Sequence, residues 1–250
     1  MALTRPRSTM LDLAEGPELA IASGAIAVTH GLHPVDTESD AAFDDLDTIS
    51  GGYQGQLVTL RLAAEGRTVE ISDVGNIVTN GRVALVKAED RITLRFDGSV
   101  WREIDRVMGF LGCLLSNASA QSIPDSTFTA MAFDTEDDDH GGWFDAGSSA
   151  SNIVVPRGVY RVNMGSQAVF ASNATGRRIV RNLKGGALVP GSGELRANAV
   201  SAGATSLNCS GQAFDVSPGG SLTAEVWQNS GANLDLNAVV CWAGARAVRT

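Results

Sequence analysis

Alternation of apolar and polar side chains is the dominant signal along this chain, and its period is two. Val58, Leu60 and Leu62 alternate with Thr59 and Arg61, and Val69 and Ile71 alternate with Thr68 and Glu70. Val83 and Leu85 continue the pattern, and Ile92, Leu94 and Phe96 alternate with Thr93 and Arg95. A period of two puts one set of side chains on each face of an extended chain, so these segments predict half-buried β-strands. Asp97-Gly98 follows directly, before Val100, Trp101 and Ile104. Such a pair between two runs predicts a hairpin, because glycine supplies the positive φ of a primed turn. Further strands are predicted over 128–133, 159–170, 178–184, 195–200, 206–209, 221–227 and 234–242, separated by Gly, Ser, Asn and Pro. In 221–227, Leu222, Ala224 and Val226 fall on one face, and Thr223, Glu225 and Trp227 on the other. Many short strands without a helical period imply an all-β chain ending in a sandwich or jelly roll.

The pattern divides the chain into four regions. Residues 1–50 read as a low-regularity anchoring arm, with weak alternation over 20–28 and acidic loops at 36–40 and 43–47. Residues 51–104 form a small β domain, 105–120 a connector, and 121–250 the sandwich. The connector is unusual, since linkers are normally polar and residues 107–115 are apolar on all sides. Three copies meeting on an axis would bury it, which makes Val107, Phe110, Leu111 and Leu114 the expected trimer contacts. A strand that completes one domain is the alternative.

Composition narrows the function classes. Apolar residues are 44%, aromatic residues 6% and charged residues only 19%, with 28 glycines, which favours turns and strands over long helices. The net charge of −9 makes phosphate neutralisation, and so nucleic-acid binding, a poor fit. The basic clusters Arg5 and Arg7, Arg177, Arg178 and Arg181, and Arg246 with Arg249 read as solvated faces and chain ends. The longest apolar stretch is about half of what a spanning helix needs, so no membrane insertion is expected. No secretory signal pattern is visible at the start of the sequence. Cys113, Cys209 and Cys241 are odd in number and widely spaced, which predicts reduced thiols, with Cys209 and Cys241 packed as small hydrophobes.

Residues 134–145 carry the most conspicuous polar cluster. Asp137, Asp138 and Asp139 are candidate ligands for calcium, which prefers hard oxygen donors, although the spacing is not that of an EF-hand and a solvated acidic loop is the plainer reading. No other cofactor is expected. Trp143 and Phe144 beside it are candidates to stack on a surface glycan, with core packing the plainer role. His30 and His33 stand as His-Gly-Leu-His without further ligands nearby, and read as a loop pair. No nucleophile elbow, phosphate loop or zincin motif occurs, so no enzymatic activity is expected. A carboxylate pair that cleaves sugars would need a cleft that sequence does not display.

A resemblance adds to this reading. Ile123-Pro124, Phe133-Asp134-Thr135-Glu136, Pro156-Arg157-Gly158-Val159-Tyr160-Arg161-Val162, Thr175-Gly176-Arg177-Arg178-Ile179, and Pro218-Gly219-Gly220-Ser221-Leu222 leading to Val226-Trp227-Gln228-Asn229-Ser230-Gly231 resemble the C1q/TNF-like jelly-roll superfamily. The version they resemble stands at the ends of bacteriophage fibres, and the match covers about residues 121–250. Gly185-Gly186 stands where phage relatives often have Asn-Gly, and the spacer 187–194 adds Gly191 and Gly193. Residues 44–49 and 56–97, ending at Trp101, more weakly resemble a β module of phage tail and head-fibre proteins. The resemblance implies a tight homotrimer that binds through surface loops rather than by catalysis. The expectation is a virion fibre or spike for host attachment on a phage or phage-like gene-transfer particle. It would contact capsid or tail proteins through residues 1–50, bind bacterial surface polysaccharide through the head, and be assembled in the host cytoplasm. A trimeric capsid decoration protein is the first alternative and a capsule-degrading enzyme the second.

Overall fold

The structure is a computed structural model that describes residues 14–71, 73–190, 194–200, 203–238 and 241–248. Arg5, Arg7, Gly191, Gly193 and Arg249 lie outside the described residues. Strands dominate throughout, with one 3-10 turn at Glu38–Asp40 and no α-helix among the described residues. The chain divides into two compact units, with the boundary after Gly109.

The first unit is a short parallel stack. Strand Leu19–Ala20 lies parallel on Leu32–Asp36, which lies parallel on Leu57–Leu62. On a second side Phe43–Leu46 lies parallel on Thr68–Ile71, and on a third Ala25–Ala27 lies parallel on Thr48–Ser50. Parallel neighbours need long crossovers, and here each crossover is itself a strand on another side of the stack. The enclosed core includes Ile26, Val28, Val35, Leu46, Ile49, Leu60, Val69 and Ile71. From residue 14 onward the expected anchoring arm over 1–50 is therefore corrected: these residues supply strands and core side chains. Their strands are two to five residues long, and Leu32 pairs with Thr59, so no local hairpin announces them.

One end of the stack is capped on all three sides. Arg91–Phe96 adds antiparallel to Leu57–Leu62, and Val83–Leu85 adds antiparallel to Thr68–Ile71. On the third side a single side chain takes the place of a strand. Asn76 Oδ1 accepts from the Ile49 N–H at 2.9 Å, and its Nδ2 donates to the Ile49 carbonyl at 2.8 Å. The hairpin at Asp97-Gly98 forms, but as a four-residue loop between Phe96 and Trp101 rather than a two-residue primed turn. Asp97 Oδ1 accepts from the Val100 and Ser99 N–H groups and the Ser99 hydroxyl, each at 2.9 Å. Those bonds stabilise the carboxylate and, with Arg102 on the other oxygen, hold its pKa well below the usual range.

His33 is fully buried in this unit. Its Nε2 accepts from the N–H groups of Thr29 and His30 at 3.1 and 2.9 Å, which leaves Nδ1 to donate to the Pro17 carbonyl at 2.8 Å. The ring thereby ties residues 17 and 29–30 together, a structural role that the His-Gly-Leu-His spacing does not reveal.

The second unit is a jelly roll. One sheet runs in the order Gln121–Ile123, Leu234–Leu236, Arg161–Phe170, Trp242–Ala247, Gly112–Ser116, Thr135–His140, with Thr205–Ser210 and Phe214–Asp215 also on Arg161–Phe170. The other places Thr129–Ala130 and Ile153–Val154 on Ser221–Gln228, then Arg177–Lys184, which carries Ala187–Leu188 and Glu194–Asn198. From 161 onward the long strands pass back and forth between the sheets, which is the jelly-roll winding. The predicted segment 234–242 is two strands, one ending at Leu236 and the next starting at Trp242. Gly185 and Gly186 form the two-residue turn between Lys184 and Ala187, both at positive φ (54° and 81°), as a primed turn requires.

Val162, Met164, Ala168 and Phe170 interleave between the sheets with Leu222, Ala224 and Val226, all at most 2% exposed. One polar bridge crosses this core. The Ser166 hydroxyl donates to Asn182 Oδ1 at 2.6 Å, and Asn182 Nδ2 donates to the Cys209 carbonyl at 3.2 Å. Satisfied pairs of this kind fix a single register between apolar faces that would otherwise slide.

Replacing Asn76 by Ala removes both bonds to Ile49 and uncaps one side of the first unit. The expected loss is about 2–3 kcal/mol, since a part-buried N–H loses its partner. Urea denaturation with an unchanged slope and a lower midpoint would show it; an unchanged midpoint would contradict the capping role.

Candidate functional site

The outer face of the larger jelly-roll sheet has a distinct make-up. Val162, Met164 and Ser166 point into the core, so Asn163, Gly165 and Gln167 point out, and the same alternation holds in the neighbouring strands. Cross-strand register then sets three rows. Asp138, Leu114, Gly244, Gly165 and Ser210 form the middle row. Ser116, Trp242, Gln167 and Asn208 flank it on one side, and His140, Gly112, Arg246 and Asn163 on the other.

Glycine gives the face its shape. A Cβ at Gly165 would stand 3.2 Å from the Trp242 ring, and one at Gly112 would stand 2.8 Å from Phe110 Cζ. Both rings therefore lie down over glycines. Phe110 sits between the Arg246 guanidinium, 5.4 Å from its centroid, and the His140 ring, 5.6 Å away and edge-on. Phe110 and Leu114 remain 49% and 43% exposed, two large apolar side chains on a floor of small ones. His140 and Arg246 lie in the row on the Phe110 side, and Asp138 and Ser210 end the middle row, so its centre of Leu114, Gly244 and Gly165 is apolar.

The expected trimer contacts separate on the structure. Phe110 and Leu114 are on this face, whereas Leu111 is 1% exposed and belongs to the jelly-roll core. Its carbonyl accepts from the Ala247 N–H at 2.9 Å, which fixes the chain so that the side chain turns inward. Val107, 39% exposed, ends the last strand of the first unit. Residues 105–120 are not a connector. Met108 packs on the first core, the Gly109 N–H donates to Asp90 in the same unit, and Gly112–Ser116 is a strand inside the larger sheet. The apolar character of 107–115 thus has two sources: one end closes the first core and the other is a strand with one face buried.

The acidic run is a strand, Thr135–His140, at the sheet edge. A bulge leaves Asp137 without a cross-strand partner. Asp139 accepts from the N–H groups of Trp143 and Phe144, both at 3.0 Å, and Asp138 reaches His140 Nε2 at 2.9 Å. Among the described residues no three His, Cys, Asp or Glu side chains gather as metal ligands. Asp137, Asp138 and Asp139 therefore form no calcium cage, because one carboxylate caps a turn and the strand spreads the others apart.

Trp143 and Phe144 are 0% and 8% exposed, and the Trp143 indole donates to the His140 carbonyl at 3.0 Å. Neither ring offers a face to a sugar, which corrects the glycan-stacking expectation: Asp139 pulls their backbone inward and the rings follow. The residues that sequence reasoning missed are Gly165, Gly244, Trp242 and Arg246. Their signal was the run Trp242-Ala243-Gly244-Ala245-Arg246-Ala247, where small residues on the inner face leave large ones facing out.

Comparison with known proteins gives little beyond this. No protein-family model matches the chain, and no curated protein does. Among solved structures it is similar to murine APRIL, with a TM-score of 0.41 and 15% identity over 56% of this chain and 100% of that one. It is also similar to the Eiger TNF from S. frugiperda, with a TM-score of 0.38 and 9% identity over 57% of this chain and 94% of that one. The strand order defines the jelly roll without help from these likenesses.

Cys113, Cys209 and Cys241 are all buried, and none forms a disulfide. Burial pushes the Cys113 thiol up to about 12 and raises the other two. A raised thiol pKa adds stability that is fully present below the unfolded value, about 8.5, and is lost as pH climbs through the folded one. The native chain should therefore resist a thiol reagent at pH 8 and react at three sites once unfolded in denaturant, and its stability should fall between about pH 9 and pH 12. A fast-reacting thiol in the native chain at pH 8 would contradict this.

Proposed function

We propose that this chain is a non-enzymatic structural protein of a virion, forming a homotrimeric fibre or spike on a phage or phage-like particle. In this reading the first unit attaches the chain to the particle, and the jelly roll serves host-surface attachment. The observation that carries the reading is the face built on Gly112, Gly165 and Gly244, where Phe110 and Leu114 stand exposed. An exposed patch with two large apolar side chains on a floor of glycines is an association surface, and copies of the chain that bury it about a common axis form a ring that closes. The phage-fibre resemblance of residues 121–250 supports the same assembly.

Anchoring falls to the first unit as a whole. Its stack is capped on three sides at one end, while at the other end strand Leu19–Ala20 is, among the described residues, the outermost of its ladder. An open ladder edge is a ready template for a strand from another protein, here a capsid or tail subunit.

Two measurements test this reading together. Leu114→Asp places a charge on the exposed face, so the variant should keep the native circular dichroism spectrum but sediment as a monomer where the wild type is a trimer, with a thermal midpoint that no longer rises with concentration. Imaging of particles that carry the chain should show a protrusion attached through residues 14–109. Broad contact of both units with the shell would favour a decoration protein, and a variant that associates like the wild type would remove the face from the account.

A further inference from the structure

The jelly roll has a second feature, distant in sequence from the face above. A cavity of about 140 Å³ opens where the 184–186 turn meets the 216–222 segment, lined by Val155, Lys184, Val216, Ser217, Ser221 and Leu222 with two glycines. Its walls are pinned by main-chain bonds. The Val155 N–H donates to the Gly220 carbonyl at 2.9 Å, the Gly219 N–H to the Val155 carbonyl at 2.8 Å, and the Gly185 N–H to the Ser221 carbonyl at 2.9 Å. The floor is apolar, since Val155, Val216 and Leu222 are buried.

Lys184 stands at the mouth. Its Nζ donates to the Asp215 carbonyl at 2.8 Å, which leaves two of its three N–H bonds to offer. Among the described residues no carboxylate pairs with it, and no hydrogen bond engages the hydroxyls of Ser217 and Ser221. The cavity therefore combines an unneutralised cation, two hydroxyls and an aliphatic floor in a space that takes about one six-membered ring.

We infer that this cavity binds a single carboxylated sugar residue, of the uronic-acid type, from an acidic polysaccharide. The carboxylate meets Lys184, the C–H face of the ring lies on Val155, Val216 and Leu222, and the ring hydroxyls meet Ser217 and Ser221. A lone ammonium favours a monovalent carboxylate over a phosphate, which is usually cradled by several N–H donors at once. The choice of a sugar over another small carboxylate rests on the attachment reading; the cavity itself does not.

Calorimetric titration and saturation-transfer NMR on the full chain test this with methyl β-glucuronide, methyl β-glucoside and benzoate. The glucuronide should bind saturably in the millimolar range, with the glucoside at least tenfold weaker. Lys184→Ala and Ser217→Trp, both at exposed positions, should each weaken the glucuronide at least tenfold, the first by removing the charge and the second by filling the mouth. Absence of saturable glucuronide binding, equal binding of the glucoside, or unchanged affinity in either variant would overturn the inference. Benzoate binding where the glucuronide does not bind would overturn the sugar assignment. Neither the sedimentation of the Leu114 variant nor particle imaging involves these ligands, so the attachment reading and this inference can fail separately.

Discussion

Strand Trp242–Ala247 lies between Gly112–Ser116 and Arg161–Phe170, and that three-strand ladder governs both surfaces of the jelly roll. Its inward side chains are Ala243, Ala245 and Ala247, all buried, which lets the facing sheet come close. Its outward side is set by the pairing of Gly165 with Gly244. Because side chains alternate with a period of two, a one-residue slip would send Trp242 and Arg246 into the core and the alanines to solvent. Register here decides the packing of the interior and the shape of the exterior together, so a single constraint produces both the stable fold and the glycine-floored face that carries Leu114.

The first unit answers a different problem. Its short strands have little intrinsic stability, and the parallel stack gains its order from a shared core and from caps on its last layer. Asn76 shows the principle most plainly, because one amide side chain supplies the two bonds that another strand would otherwise make. The buried His33 does similar work for the loops around it, with all three of its ring hydrogen bonds going to main-chain groups.

Strands with clean alternation and local partners were legible in the sequence: 57–62, 91–96 with its hairpin, 161–170, 177–184 and 221–228 all lie within a few residues of their predicted places. Residues 19–50 were not, because their strands are short and pair in parallel with segments about 16 to 27 residues away, a relation no local pattern carries. The site was half legible. Phe110 and Leu114 stood out as apolar residues in an odd place, but Leu111 between them faces inward, since residues 110–111 precede the strand and do not follow its alternation. Trp143 and Phe144 looked like loop aromatics because the hydrogen bonds from their backbone to Asp139 are invisible in a string of acidic residues. Gly165 and Gly244 read as two glycines among 28 until cross-strand register set them side by side.

The central claim is that the face over Gly165 and Gly244 closes on copies of itself. Native mass spectrometry of the intact wild-type chain at micromolar concentration tests it most directly. The account predicts a dominant species at three times the 26.0 kDa chain mass. A chain that stays at its monomer mass up to tens of micromolar would contradict it.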